Sequence, residues 1–298
     1  MLSQPRVSLI TSCYNGKTYL TPFLDSLLTQ TYKQVEFFFI NDGSRDGTEK
    51  IFLSYQPLLE EKGWQVVYHK QENKGVAHAL NYGLKRFTGV YLACVDSDDI
   101  LYPDFLSAKV SFMEQYPHYA LCYSGVEIVK EEAPAQVIRR IMRKPQAKDD
   151  LFIDCLLGRN EALSAPALTY FYRAKNWLAC NTQRQIYEDT PVGQNWQMLL
   201  PIVYSGKCGY LNKVLAKYVM RHTSHSHTRK RRSVAEQCRV EKQLLFRILD
   251  ELHLPSITYN KYKALIEKKY RRKWLAGKLK KVPGLFQVAK RIYQYFKH

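Results

Sequence analysis

Short apolar runs alternate with helical patterns over the first 124 residues of the chain. The runs that predict β-strands are VSLIT (7–11), VEFFFI (35–40), VVYH (66–69), VYLACV (90–95) and YALCYS (119–124). Between them, apolar residues recur at helical spacing, which predicts a helix with Leu20, Phe23, Leu24, Leu27 and Leu28 on one face, and others from Thr48, over 76–87 and from Pro103. This order predicts an α/β fold with a largely parallel, doubly wound sheet.

Polar segments follow four of these predicted strands, and in a doubly wound sheet they meet at one edge. They are TSCYNG, NDGS, ENKG and DSDD, in chain order. Because ligands of such sheets bind outside the carboxyl ends of the strands, we expect the functional site at this edge.

The chain loses this regularity after residue 124. Residues 125–185 are interpreted as loops and short helices added to the sheet. The composition changes again after VMRHTSHSHTRKRRS, and the remainder predicts helices with one apolar stripe, formed by Leu244, Leu245, Ile248, Leu249 and Leu252. We therefore predict a main domain over residues 1–228 and a basic helical tail over residues 229–298.

The charge of the 298-residue chain is concentrated in that tail. The net charge is +18, and residues 226–298 hold about 20 Lys and Arg against about 5 Asp and Glu. The seven cysteines are widely spaced and never form a C-x-x-C pair, so the sequence indicates neither a disulfide framework nor a zinc knuckle. With no export signal and no long apolar run, the sequence predicts a cytoplasmic protein.

The DSDD segment concentrates carboxylates at the end of a buried strand. Asp96 and Asp98 can offer oxygens to one Mg²⁺ or Mn²⁺, and such cations prefer a few carboxylates together with phosphate oxygens. The alternative is an Asp-rich turn that caps the helix near Pro103. Two further residues favour the metal: Asp42, which can accept the imide N–H of a base, and Tyr14, which can stack on it. Together they describe a pocket for a nucleoside diphosphate.

These motifs, in this order and spacing over about residues 5–125, resemble those of the family-two glycosyltransferases, inverting enzymes of the GT-A fold that use nucleotide-sugar donors. The resemblance places the D-x-D of the family, which holds the cation and the donor, on Asp96 and Asp98, and Asp99 completes its D-x-D-D. The resemblance assigns stacking on the nucleotide base to Tyr14 and recognition of the edge of that base to Asp42. The full set that it implies for the donor is Ser12, Tyr14, Asn15, Asp42, Lys74, Asp96 and Asp98.

The chain departs from the family pattern at two positions. An arginine that is common in the helix after the third strand is Leu80 here, with Lys74 or His78 as weak substitutes. The catalytic base of the family falls on Gln194-Asn195, and an amide cannot accept a proton.

Glu188 and Asp189 lie a few residues upstream of that position, and either is a candidate base. The alternatives for this pair are a solvated turn, or a base elsewhere, at Glu161 or Asp154. The acceptor is assigned to Asp99, Gln194, Asn195 and Trp196.

The segment RHTSHSH ends the main domain where related folds often return a histidine to the metal. His222 and His225 are therefore candidate metal ligands, with a polar linker as the alternative. Spacing does not rank the two.

The tail interleaves basic clusters with Trp, Tyr and Leu, and its last segment places Leu285, Val288, Ile292 and Phe296 on one helical face. This pattern favours an anionic membrane surface over nucleic acid. A helical hairpin packed on the main domain is the remaining alternative.

The sequence thus predicts an inverting, metal-dependent glycosyltransferase that moves a sugar from a nucleotide-diphosphate donor to a saccharide or lipid-linked acceptor. We place it in surface polysaccharide synthesis, peripheral on the inner face of the cell membrane, and leave its oligomeric state open. One alternative is a sugar nucleotidyltransferase, disfavoured because no Gly-rich triphosphate loop follows the first strand. The other is a non-catalytic basic protein that binds membrane or nucleic acid.

Overall fold

The computed structural model describes residues 4–143, 151–158, 167–190, 192–221 and 233–279. The strands are Val7–Cys13 (β1), Val35–Asp42 (β2), Gln65–Gln71 (β3), Tyr91–Cys94 (β4), Ile100–Leu101 (β5), Tyr119–Lys130 (β6), Ala133–Ile141 (β7), Tyr170–Arg173 (β8) and Lys207–Met220 (β9). The helices are Leu20–Leu28 (α1), Thr48–Glu61 (α2), Val76–Leu84 (α3), Phe105–Gln115 (α4), Leu151–Leu157 (α5), Ala174–Cys180 (α6), Gln194–Ser205 (α7), Val234–Glu251 (α8) and Ser256–Leu279 (α9).

The strands form one sheet in the order β3-β2-β1-β4-β8-β6-β9-β5, and β7 pairs with β6 outside this path. The four strands β3, β2, β1 and β4 are parallel, as the alternation of strands and helices predicts. Every residue of β2 is buried, as expected for a central strand of a parallel sheet, and α3 contacts both β1 and β2. The α/β fold with a mostly parallel sheet is confirmed, and the carboxyl ends of β1, β2 and β4 lie at one edge.

The second half of the sheet corrects the interpretation of residues 125–185 as loops and short helices. Short helices are present at α5 and α6, but β6 continues to Lys130 and turns back into β7. Strand β8 then inserts antiparallel between β4 and β6. Strand β9 runs parallel to β6 and antiparallel to β5. This arrangement returns the chain to the end of β4, where the DSDD segment lies.

The helices α8 and α9 pack on the rest of the protein. The predicted apolar stripe is confirmed on α8, where Leu244, Leu245, Ile248 and Leu249 are buried. These side chains belong to the same hydrophobic cluster as the sheet, and α8 contacts α7 while α9 contacts α5. The boundary predicted at residue 228 and the predicted apolar face of Leu285, Val288, Ile292 and Phe296 lie outside the described residues.

Candidate active site

Asn15 joins the segment after β1 to the segment after β2. Its backbone N–H donates to Ser44 Oγ at 3.0 Å, and its Oδ1 accepts from the backbone N–H of Arg45 at 3.0 Å. Its φ of 51° lies in the left-handed region, which asparagine adopts more readily than most residues. Asn15 therefore shapes the loop on which Tyr14 is presented with 39% of its surface exposed. Ser12 is half-buried within β1.

Asp42 is only 3% exposed and fastens the loop before α3. Its Oδ1 accepts from Gln71 Nε2 at 2.7 Å and from the backbone N–H of Lys74 at 3.0 Å. Its Oδ2 accepts from the backbone N–H of Gly75 at 2.9 Å. The side chain of Lys74 is exposed. The structure thus gives Asp42 a role in shaping the edge of the site, and its contact with a base stays a prediction.

The three aspartates after β4 form a cluster that could hold a metal ion. One carboxylate oxygen from each of Asp96, Asp98 and Asp99 lies within 4.8 Å of the others. Asp99 has no exposed surface, and its Oδ1 accepts from the backbone N–H of Val219 at 3.2 Å. Its buried Oδ2 has no hydrogen-bond partner among the described residues. A buried carboxylate oxygen without a donor is costly, and a cation would satisfy it.

Burial and mutual repulsion act against ionisation of this cluster. Desolvation by the surrounding protein and the charge of Asp98 raise the pKa of Asp96, and the exposure of this residue to solvent moderates the effect. Burial, the charge of Asp98 and the charge of Asp96 raise the pKa of Asp99 well above its usual range. A divalent cation would remove this penalty, so the donor set fits Mg²⁺ or Mn²⁺.

Asp98 also binds an arginine that the sequence analysis missed. The Nε of Arg221 donates to Asp98 Oδ2 at 2.8 Å, and its Nη2 donates to the same oxygen. The guanidinium lies over the ring of Tyr19, with Cζ 3.7 Å from the ring centroid. Arg221 directly follows β9, and only its position at a predicted strand end would have drawn attention to it. His222 and His225, predicted as metal ligands, lie outside the described residues.

Leu80 is buried and apolar, so the position of the family arginine carries no charge. The neighbouring residue, Asn81, instead binds the segment that carries the two candidate bases. Its Oδ1 accepts from the backbone N–H of Ile186 at 2.8 Å, and its Nδ2 donates to the carbonyl oxygen of Ile186 at 2.8 Å. The same Nδ2 lies 2.8 Å from Glu188 Oε1. Asn81 thus fixes the chain that carries both candidate bases to α3.

The two candidate bases have different surroundings. Glu188 is bound by the buried amide of Asn81, whereas Asp189 projects outward with 72% of its side chain exposed. Both oxygens of Asp189 accept from Nη1 of Arg247, at 2.8 and 2.9 Å. A third helix also holds this chain, because Gln197 Oε1 on α7 accepts from the backbone N–H of Tyr187 at 2.6 Å. The segment 186–189 is therefore fixed by α3, α7 and α8.

The four predicted acceptor residues differ in their surroundings. Asp99 has no exposed surface and belongs to the carboxylate cluster. Trp196 is half-buried and packs against the core, with Lys269 Nζ of α9 5.5 Å from its ring centroid, and an acceptor contact for both residues stays a prediction. Gln194 and Asn195 begin α7, and Asn195 is exposed. An acceptor contact for these two stays a prediction.

The sequence profile of the family described as Glycosyl transferase family 2 matches residues 8–177, which is more than half of the chain. The chain belongs to this family. An uncharacterised glycosyltransferase of Rickettsia typhi is 36% identical to it over 130 residues, covering 43% of this chain and 39% of that protein. The chain spans less than half the length of the curated relatives that it matches.

Solved structures share the fold of this family 2 chain. S. aureus TarS 1-349 in complex with UDP-GlcNAc superimposes with a TM-score of 0.67 at 17% identity, covering 91% of this chain and 79% of that one. The mannosyltransferase PcManGT from Pyrobaculum calidifontis, in complex with GDP-Man and Mn²⁺, gives 0.55 at 15% identity, covering 99% and 86%. At these identities the likeness establishes a GT-A-like fold.

Proposed function

We propose that this family 2 protein is a metal-dependent inverting glycosyltransferase that uses a nucleotide-diphosphate sugar. The observation that carries the proposal is the carboxylate cluster at the end of β4, in which the buried Oδ2 of Asp99 has no partner among the described residues. The solved structures of TarS with UDP-GlcNAc and of PcManGT with GDP-Man and Mn²⁺ support this donor class.

Asp96 and Asp98 would hold the cation, and Asp99 would complete its surroundings. When bound, the cation supplies charge neutralisation for the diphosphate that leaves. Arg221 adds a second positive charge at the same place, because its guanidinium already lies against Asp98. We therefore infer that Arg221 provides the phosphate-binding charge that Leu80 cannot. The exposed ring of Tyr14 is proposed to stack on the base.

Asp189 is the base that the geometry supports best. Glu188 belongs to the set of contacts that Asn81 makes with the segment 186–189. Asp189 is open to solvent and has its carboxylate oriented by a guanidinium, so it can accept a proton from an incoming hydroxyl. As that proton passes to Asp189, the acceptor oxygen attacks the anomeric carbon from the face opposite the departing nucleoside diphosphate, and this displacement inverts the configuration. The acceptor class, a saccharide or a lipid-linked saccharide of surface polysaccharide synthesis, is part of this proposal.

A thermal-shift screen of nucleotide sugars with and without Mn²⁺ tests the donor and the metal together. A ligand at 100 times its dissociation constant adds about 2.7 kcal/mol to the free energy of unfolding. We expect one nucleotide class to stabilise the protein only with Mn²⁺, and expect Arg221→Gln to reduce that shift. The absence of any metal-dependent shift across UDP, GDP and CDP sugars would contradict the proposal.

Analysis of the reaction products, with the nucleotide sugar that binds as substrate, distinguishes a glycosyltransferase from a sugar nucleotidyltransferase. A glycosyltransferase releases a nucleoside diphosphate and a glycosylated acceptor, whereas a sugar nucleotidyltransferase releases pyrophosphate. Binding without any turnover over a panel of acceptors would favour a non-catalytic protein.

An anionic membrane surface is the proposed location of the acceptor. Trp274 and Leu275 are 36% and 42% exposed on α9, and Lys278 Nζ lies 3.9 Å from the ring centroid of Trp274. Each basic residue near an anionic bilayer contributes about 1 kcal/mol, and salt screens this attraction. Among the described residues, no helix combines the length and the apolar character that spanning a bilayer requires.

We expect the full-length protein to bind anionic vesicles at low salt and to be released in part at high salt. Replacing both Trp274 and Leu275 with serine should make the remaining binding more salt-sensitive, because salt does not screen the apolar contribution that these two side chains make. Vesicles of zwitterionic lipid are the control. A protein that ignores anionic vesicles at low salt would exclude this location.

A further inference from the structure

Arg247 connects the C-terminal helix α8 to the proposed base. Its Nη1 donates to both carboxylate oxygens of Asp189, at 2.8 and 2.9 Å. Its guanidinium also lies over the ring of Tyr187, with Cζ 3.5 Å from the centroid. One side chain therefore contacts two residues of the segment 186–189, from a helix 58 residues further along the chain.

The helix that carries Arg247 is a firm support. Ile248 and Leu249, the next two residues, are 2% and 0% exposed and belong to the main hydrophobic cluster. Leu244 and Leu245 anchor the preceding turn in the same way. The Cα of Arg247 is consequently held in place, and the planar guanidinium of this side chain loses little further freedom when it binds a carboxylate.

The three supports of the segment 186–189 act on different groups. Asn81 and Gln197 bind the backbone of Ile186 and Tyr187, and Asn81 binds Glu188. Neither of them reaches the side chain of Asp189. Arg247 is the partner that the structure gives to this carboxylate.

We propose that Arg247 is a positioning residue that orients the carboxylate of Asp189 toward the acceptor hydroxyl, so that α8 is part of the active site. This inference rests on the proposed function, in which Asp189 is the base. Stability alone does not explain the contact, because Arg247 and Asp189 are 47% and 72% exposed and such ion pairs add little to stability. Orientation of a reacting group has a much larger effect, since a displacement of about 1 Å can cost about 10²-fold in rate.

The kinetic test compares Arg247→Gln with Arg239→Gln, an exposed arginine eight residues earlier on the same helix. We expect Arg247→Gln to lower kcat for transfer about 10-fold to 100-fold, with the KM for donor, the Mn²⁺-dependent nucleotide binding and the Tm unchanged. Arg239→Gln should behave as wild type. Arg247→Lys keeps the charge but loses the planar contact, and should recover part of kcat. Wild-type kcat in Arg247→Gln would overturn the proposal, as would a parallel loss of kcat, nucleotide binding and Tm.

A double-mutant cycle shows whether Arg247 acts through Asp189. In the Asp189→Asn background, Arg247→Gln should cause no further loss of transfer, because the group that it orients is already gone. Independent, multiplicative losses would overturn the proposal.

Hydrogen exchange of the backbone amides at residues 187–189 provides a readout that does not need activity. These amides should exchange faster in Arg247→Gln than in wild type and in Arg239→Gln. Unchanged exchange would overturn the proposal. If the wild type transfers no sugar, the proposed function fails, while the exchange result still decides whether Arg247 orders this segment.

Discussion

Replacing Asp96 with asparagine is expected to lower sugar transfer about 10³-fold, because the cation would lose a charged ligand where charge develops on the departing diphosphate. The nucleotide-dependent thermal shift in Mn²⁺ should be lost as well. Asp96 is a cleaner choice than Asp98, since Asp98→Asn would also remove the partner of the largely buried Arg221. Steady-state transfer and thermal shift with and without Mn²⁺ measure both effects.

The stability of this variant provides an internal control. The pKa of Asp96 is raised to about 7, so its carboxylate opposes folding once it is ionised. The contribution of Asp96 to the free energy of unfolding therefore falls as the pH rises from about 4 to about 7 and is smallest above that range. At pH 8 without metal, the Asp96→Asn variant should be at least as stable as wild type. Asp104→Asn, at a partly exposed aspartate paired with Lys213, is the matched substitution outside the cluster. Wild-type transfer by Asp96→Asn would refute the metal assignment.

Replacing Asp189 with asparagine is expected to lower kcat for transfer about 10²-fold or more, as loss of a general base does. The change is isosteric, so the binding of nucleotide and Mn²⁺ should be retained. The paired variant Glu188→Gln should have a smaller effect, because its amide can still pair with Asn81 while the backbone contacts of Asn81 persist. Steady-state transfer kinetics and nucleotide-binding measurements on both variants test these expectations.

The relative effect of the two substitutions decides the assignment. A much larger loss in Glu188→Gln than in Asp189→Asn would make Glu188 the base. Full activity in both would move the search to Asp154 or Glu161, the second of which lies outside the described residues.

The first half of the fold is readable from the sequence because it follows local rules. Each buried parallel strand is a continuous apolar run, and each helix between strands repeats its apolar residues every three or four positions. The edge at which the carboxylates gather follows from strand direction alone. The prediction of the DSDD cluster therefore needed no tertiary information.

The second half of the fold lacks those signals. Strand β7 pairs with β6 alone, and residues 134–140 are exposed, so APAQVIRRI shows no buried alternation. Strand β9 mixes exposed lysines with apolar residues, and its pairing with β6 shifts register near Ser124 and Gly125. Long-range pairing, and not local propensity, specifies these strands.

The side-chain partners in the site were also beyond sequence reasoning. Arg221 is 123 residues from Asp98, and Arg247 is 58 residues from Asp189. A basic residue in a chain with 45 Lys and Arg is not distinguished by its type. Only the path of β9 and the docking of α8 select these two from the others.

The path of β9 has a consequence for the order in which this protein acquires its site during synthesis. The D-x-D of the family lies within the matched residues 8–177, but Asp99 is bound by the backbone of Val219 and Asp98 by Arg221. These contacts have a very large sequence separation, so the entropy of closing a long loop must be overcome before they form. A nascent chain that already displays the DSDD segment therefore still holds its aspartates without these partners. The carboxylate cluster is complete only after β9 has left the ribosome and inserted between β6 and β5.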